Sequence, residues 1–204
     1  MRLGVIYEPD SANAHYRAVI PMRALEQRGH TVVWPKHPVT PPVREFLTCD
    51  LVHCYRRMDR MSDLCTLSAR GVAISFDNDD NYAAAEVSDG GQGLAGRRYN
   101  QELHRRVIEA AKLADLTTTP SELLAEQYRA AGAHHVAVIE NHLSRQTFGF
   151  GSRSKHDGIV VGWVAGREHR VDLERIRLTD ALEGLLAVHP ELRILTVGLR
   201  LPLH

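Results

Sequence analysis

The sequence predicts an α/β fold: a doubly wound, Rossmann-like parallel sheet over residues 1–150, a linker at 151–157, and a partial second Rossmann-like βαβ unit over 158–204. Three observations predict it. Short apolar runs recur along the chain, and segments of helix length separate them, the spacing of strands joined by crossover helices. Helix-ending and helix-starting residues fall between the runs, Gly29 and Gly132 after helices and Pro120-Ser121-Glu122 before one. From Gly149 to Gly158 the composition shifts to Gly, Ser, Lys and Arg, as in a linker.

Taken in order, Arg2 to Tyr7 is a short apolar strand, and the polar segment Glu8 to His15 leads into a helix ending near Arg28. Pro21 either kinks that helix or occupies its first turn, with the helix starting near Ile20. His30 to Trp34 is a second strand, and Pro35, Pro38, Pro41 and Pro42 mark an irregular connector with a short helix near Val43 to Leu47. A third strand (50–55), a helix (59–69) and a fourth strand (72–76) follow. The fourth strand runs into Asp77-Asn-Asp-Asp-Asn81 and a glycine-rich stretch to Gly96, a long connection of the kind that serves as a functional lid. A helix at 97–113, a strand at 115–119, a helix ending at Gly132 and a strand at 136–139 complete the first sheet. Beyond the linker, Ile159 to Ala165 reads as a buried strand. One helix then runs from a cap at Asp172 to His189, with Leu178, Leu182, Leu185 and Leu186 at helical spacing, Pro190 stops it, and another strand reaches Gly198.

Composition excludes several classes. Across 204 residues, 25 basic side chains balance 25 acidic ones, so no electrostatic case exists for nucleic acid as the main partner. No apolar run approaches the roughly 20 residues that span a bilayer, and Met1-Arg2 leads into a strand instead of a signal peptide. A cytoplasmic protein is expected, with peripheral contact to a membrane left open. Cys49, Cys54 and Cys65 make no disulfide or zinc framework, and the 12 histidines show no metal-ligand spacing, so no metal is expected.

Two stretches carry chemistry. In Ile159 to His169 a strand meets a glycine-bearing loop and then a helix N-terminus, an arrangement that suits phosphate, with Gly162 and Gly166 for backbone approach and Arg167 and His169 as donors. The stretch matches neither the Gly-x-Gly-x-x-Gly fingerprint nor a P-loop, and an ordinary βα turn is the alternative. Asp77, at the carboxyl end of the fourth strand, can hold a substrate hydroxyl or act as a base; the alternative is a capped turn of solvated carboxylates. The acidic run is no EF-hand, because Tyr82 and Ser88 stand where Gly and Glu are needed.

In their order along the chain these pieces resemble the two-Rossmann (GT-B) glycosyltransferases, in particular the retaining family 4 enzymes. The resemblance rests on His15-Tyr16-Arg17 with Pro21, Leu25 to Val33, Phe76 to Asn81, Ala114 to Ser121, Val138 to Asn141, Val161 to Gly166 with His169 and Asp172, and His189 to Gly198. It implies transfer of a sugar from a nucleotide-diphosphate sugar to a glycan or small-molecule acceptor, without a metal or other cofactor and without a protein nucleophile. Under that resemblance residues 1–150 are the acceptor side and 158–204 the nucleotide-sugar side. His15, Asp77 and Asp79 are the catalytic candidates, Tyr16, Arg17 and Asn141 bind substrate, and Gly162, Gly166, Arg167 and His169 bind phosphate. Glu140 and His142 depart from the Pro and Gly of the family's turn around Asn141, and only the first βαβ unit of the second domain precedes His204. So small a unit, about 47 residues, is marginal by itself and has unpaired sheet edges. It is expected to pack on the first domain, to pair with another copy or a second chain, or to belong to a longer product. A non-catalytic half-enzyme or partner subunit, and a nucleotide-sugar epimerase, are the other functional readings.

Overall fold

The computed structural model describes residues 1–9, 11–83, 93–142, 157–166, 170–198 and 200–203. The chain divides into two compact units, Met1–Ala83 with Gln101–Gly149, and Ala84–Asn100 with Phe150–His204. The glycine-rich connection expected as a lid lies outside the described residues from 84 to 92, and so does most of the expected linker, 151–156.

Unit 1 is Rossmann-like. Strands β1 (Arg2–Ile6), β2 (Thr31–Val33), β3 (Leu51–Tyr55), β4 (Ala73–Asp77), β5 (Leu116–Thr119) and β6 (Val136–Val138) form one parallel sheet in the order β2-β1-β3-β4-β5-β6. The chain moves outward from β1 to β2 in one direction and, from β3 on, in the other, which creates a switch point between β1 and β3 of the kind where open α/β sheets bind ligands. The connections include α1 (Ala12–Ala14), α2 (Ile20–Gln27), α3 (Met61–Ala69), α4 (Gly93–Leu113) and α5 (Glu122–Ala130).

Strand alternation sorts side chains onto the two faces. Leu3, Val5 and Tyr55 point to one face and meet Ala14, Ala18 and Met22 of the first crossover. Ile6, Val52, Cys54, Ile74 and Phe76 point to the other and meet Leu64 and Leu67 of α3, Val107 and Ala110 of α4, and Leu124 and Tyr128 of α5. Cys54 is therefore the small core residue its strand suggests. Gly4 lies against this second core, where a β-carbon would come within 2.7 Å of Phe46. Ser121 caps α5, its Oγ accepting from the Leu124 N–H at 3.4 Å. Ser121→Ala is expected to cost about 1 kcal/mol in urea denaturation.

Pro21 neither breaks nor defines the first crossover alone. Helical structure begins at Ala12, passes through a π turn at His15–Val19, and continues as α2 with Pro21 in its first turn. The Ile20 N–H bonds the His15 carbonyl, so the wider turn carries the chain into a position where the missing proline N–H is tolerated.

Unit 2 contains β7 (Val160–Ala165), α6 (Arg170–Arg175), α7 (Leu178–Val188) and β8 (Arg193–Gly198), with β7 and β8 paired in parallel. The single helix expected from Asp172 to His189 is instead two helices. Asp172 lies within α6, and Arg177 between the two helices adopts the left-handed conformation at φ 51°. The reason is geometric. Leu173 and Leu182 both enter the core with Leu201, yet nine residues along one continuous helix would turn them about 180° apart. The opposite face of the strand pair is apolar and open, with Val164 77%, Leu195 56% and Val197 51% exposed.

Candidate functional site

Arg17 leaves the π turn beside the buried Ala14 and Ala18 and is itself driven inward, over the carboxyl ends of the strands. Its Nε donates to Asp77 Oδ1 at 3.0 Å and its Nη2 to Asp77 Oδ2 at 2.5 Å. Nη1 donates to the carbonyl of Ile139 and, at 3.3 Å, to Asn141 Oδ1. Thr118 on β5 supplies a further donor, its Oγ1 lying 2.5 Å from Asp77 Oδ2. The two charged side chains are only 4% and 3% exposed. A bidentate pair this dry survives because its polar atoms are satisfied by one another and by their neighbours. Both oxygens of Asp77 are thus committed to protein donors, and Asp77 holds Arg17.

Asp79 has a different setting. Its Oδ1 accepts from the Tyr55 hydroxyl at 2.8 Å and from Arg56 Nη1 at 3.5 Å, and its side chain is 9% exposed. Arg56 also reaches Asp80 Oδ2 at 2.6 Å and donates to the Tyr82 hydroxyl. To do so it leaves β3 at φ 54°, a left-handed conformation that is costly for arginine and recurs at functional sites. Burial pushes the Tyr55 and Tyr82 phenols up and raises the Asp80 carboxyl against the pull of Arg56. Asn78 donates through Nδ2 to the Tyr128 hydroxyl at 2.6 Å, and burial pushes that phenol up to about 12. The acidic run is therefore an ordered turn in which Asp77 and Asn78 are buried and the Asp80 side chain remains 44% exposed.

A polar cavity of about 320 Å³ opens at this end of the sheet, lined by Asn13, Tyr16, Arg17, Asp79, Asn141 and His142. Of the residues singled out in unit 1, the structure brings Tyr16, Arg17, Asp79 and Asn141 to one wall. Asp77 stands behind them, and His15 is half-buried with its ring edge-on to Tyr16 at 5.6 Å, outside the lining. Asn13, His142, Tyr55, Arg56 and Thr118 complete the constellation without having been marked as site residues. In unit 2, Gly162 is inside β7, paired with Leu195, and so is part of the strand instead of the phosphate loop; Gly166 directly follows the strand. Arg167 and His169 lie outside the described residues.

His53, two residues before Tyr55 on the same strand, is buried with Nδ1 3.2 Å from Ser75 Oγ. Burial lowers its pKa from the ordinary 6.5, and the Asp77 charge opposes that shift only in part. The unfolded chain therefore takes up a proton that the folded chain refuses. Stability is expected to be full above pH 6.5 and to fall as the pH drops toward the folded-state value. The slope contributed by this group reaches at most about 1.4 kcal/mol per pH unit. Urea titrations at several pH values check this, with His53→Gln showing a flatter profile.

Among the described residues no group of His, Cys, Asp or Glu is placed to hold a metal ion, and no helix is long and apolar enough to cross a membrane. No family model matches the chain, and no curated protein does. A solved structure does match: MnaA of S. aureus, determined as a co-structure with UDP, superposes with a TM-score of 0.60 at 14% identity. The match covers 98% of this chain and 63% of that one, so this chain spans less than two thirds of its length. A likeness at this identity is one of fold, and the class it defines is the Rossmann-like α/β proteins.

Proposed function

We propose that the chain works on a nucleotide-activated sugar as a glycosyltransferase or a shortened form of one, with the acceptor held by unit 1. The observation that carries this reading is the polar cavity at the carboxyl ends of the strands, where Asp79 is fixed by Tyr55 and Arg56 beside Asn141 and Arg17. A carboxylate so fixed accepts hydrogen bonds from hydroxyls of a sugar or acceptor. The fold likeness to a protein solved with UDP supports a nucleoside diphosphate as the donor's carrier. For the diphosphate we assign the segment after β7, with Gly166, Arg167 and His169 supplying backbone and side-chain donors. No metal is needed where N–H groups and a cation stabilise the leaving diphosphate. Transfer with retention by front-face attack, as the resemblance implies, needs no nucleophile on the protein.

The test is a thermal-shift screen of the purified chain against nucleoside diphosphates and their sugars, followed by product analysis. Binding at 100 times the dissociation constant stabilises by about 2.7 kcal/mol, a rise of several degrees. Arg167→Ala is expected to remove the shift; a shift that persists in that variant rejects the phosphate assignment. Isomerised nucleotide sugar formed without acceptor would establish the epimerase reading, and binding without any turnover the half-enzyme reading.

A further inference from the structure

The polar cavity does not end at Tyr16, Arg17, Asn141 and His142. These four residues also line a second cavity of about 410 Å³, which follows the sheet face beneath α2 toward the amino ends of the strands. Its wall is mostly hydrocarbon, including Leu3, Ile20, Leu25, Leu51, Leu116 and Ile139. Of the polar groups in that wall, Asp77 is bound by Arg17 and Thr118 and His53 Nδ1 meets Ser75 Oγ, while His53 Nε2 is buried without a hydrogen-bond partner. A polyhydroxylated occupant would give up its water there for little return, whereas hydrocarbon would lose only unfavourable hydration. A polar chamber and an apolar chamber that share four lining residues fit one kind of ligand, with a hydroxylated head and an aliphatic tail.

Resting on the transferase reading of the polar cavity, we propose that the acceptor is a soluble amphiphile whose hydroxyl lies by Asp79 and whose alkyl tail occupies the second cavity. In the transfer, the acceptor oxygen forms a bond to the anomeric carbon as the bond from that carbon to the diphosphate oxygen breaks. The hydroxyl proton passes to the departing diphosphate oxygen, which balances the step without another reactant.

The test is calorimetric titration of the full chain with methyl, hexyl, octyl and decyl β-glucosides below their micelle-forming concentrations, with no nucleotide sugar present. Affinity is expected to rise roughly fourfold per methylene until the cavity is full. Leu116→Trp and Ile20→Trp, which narrow the cavity from opposite sides, are each expected to weaken octyl glucoside binding by about tenfold or more. Circular dichroism and melting confirm that each variant folds, and either folded variant suffices. Affinity independent of chain length, or octyl glucoside binding unchanged in folded variants, overturns the proposal. A dimer in sedimentation that the tryptophan variants dissociate also overturns it, by making the cavity a contact between copies. The two readings fail separately: chain-length-dependent binding by a protein that transfers no sugar removes the transferase and leaves the amphiphile site. Transfer to short acceptors with no chain-length dependence does the reverse.

Discussion

Replacing Arg17 with methionine is expected to destabilise unit 1 by about 3–5 kcal/mol, because it leaves the Asp77 carboxylate, only 3% exposed, without its cationic partner. Asp77 would keep its bond from Thr118 but lose the bidentate guanidinium. The loss is read as a lower urea midpoint with an unchanged slope. The double variant Arg17→Met, Asp77→Leu is expected to regain most of it, since neither charge is then buried alone. A loss below about 1 kcal/mol in the single variant would mean that the pair behaves as a solvated surface bridge.

Asp79→Asn is expected to lower kcat/KM for sugar transfer by about 10²-fold while leaving the nucleotide-induced melting shift in place, because misdirecting an acceptor hydroxyl costs that much. Tyr55→Phe removes one of the bonds that aims Asp79 and is expected to have a smaller effect, about fivefold, because Arg56 still holds the carboxylate. Transfer at the wild-type rate by Asp79→Asn would remove Asp79 from the site. A lost melting shift in the same variant would assign it to nucleotide binding instead.

The order of strands and the helices between them were legible because each strand of unit 1 is a short apolar run bounded by turn residues. Arg17, Asp79 and Asn141 were legible only as members of motifs, and their convergence depends on register. Val5 pairs with His53, Tyr55 with Asp77, and Asp77 with Thr118 across neighbouring strands, and no local pattern encodes those pairings. Tyr55 and Arg56 were hidden for the same reason: Tyr55 closes an apolar strand and reads as core, while its hydroxyl serves a carboxylate 24 residues further on. A signal did exist, since alternation puts Tyr55 on the face of His53 and, across the strand pair, of Asp77. The π turn at His15–Val19 and the break at Arg177 escaped because hydrophobic spacing specifies which side chains must be buried and leaves open how the backbone achieves it.

Arg17 binds residues 122 and 124 positions away, at Ile139 and Asn141, so the first crossover and the segment after the last strand of the sheet are tied by one side chain. Loops of that span close late in folding, after local helices and neighbouring strand pairs have formed. The wall of the polar cavity is therefore finished near the end of refolding. Ligand competence should lag behind the recovery of helical signal in a stopped-flow experiment, and a chain interrupted before Ile139 should gain secondary structure without ever acquiring a mouth.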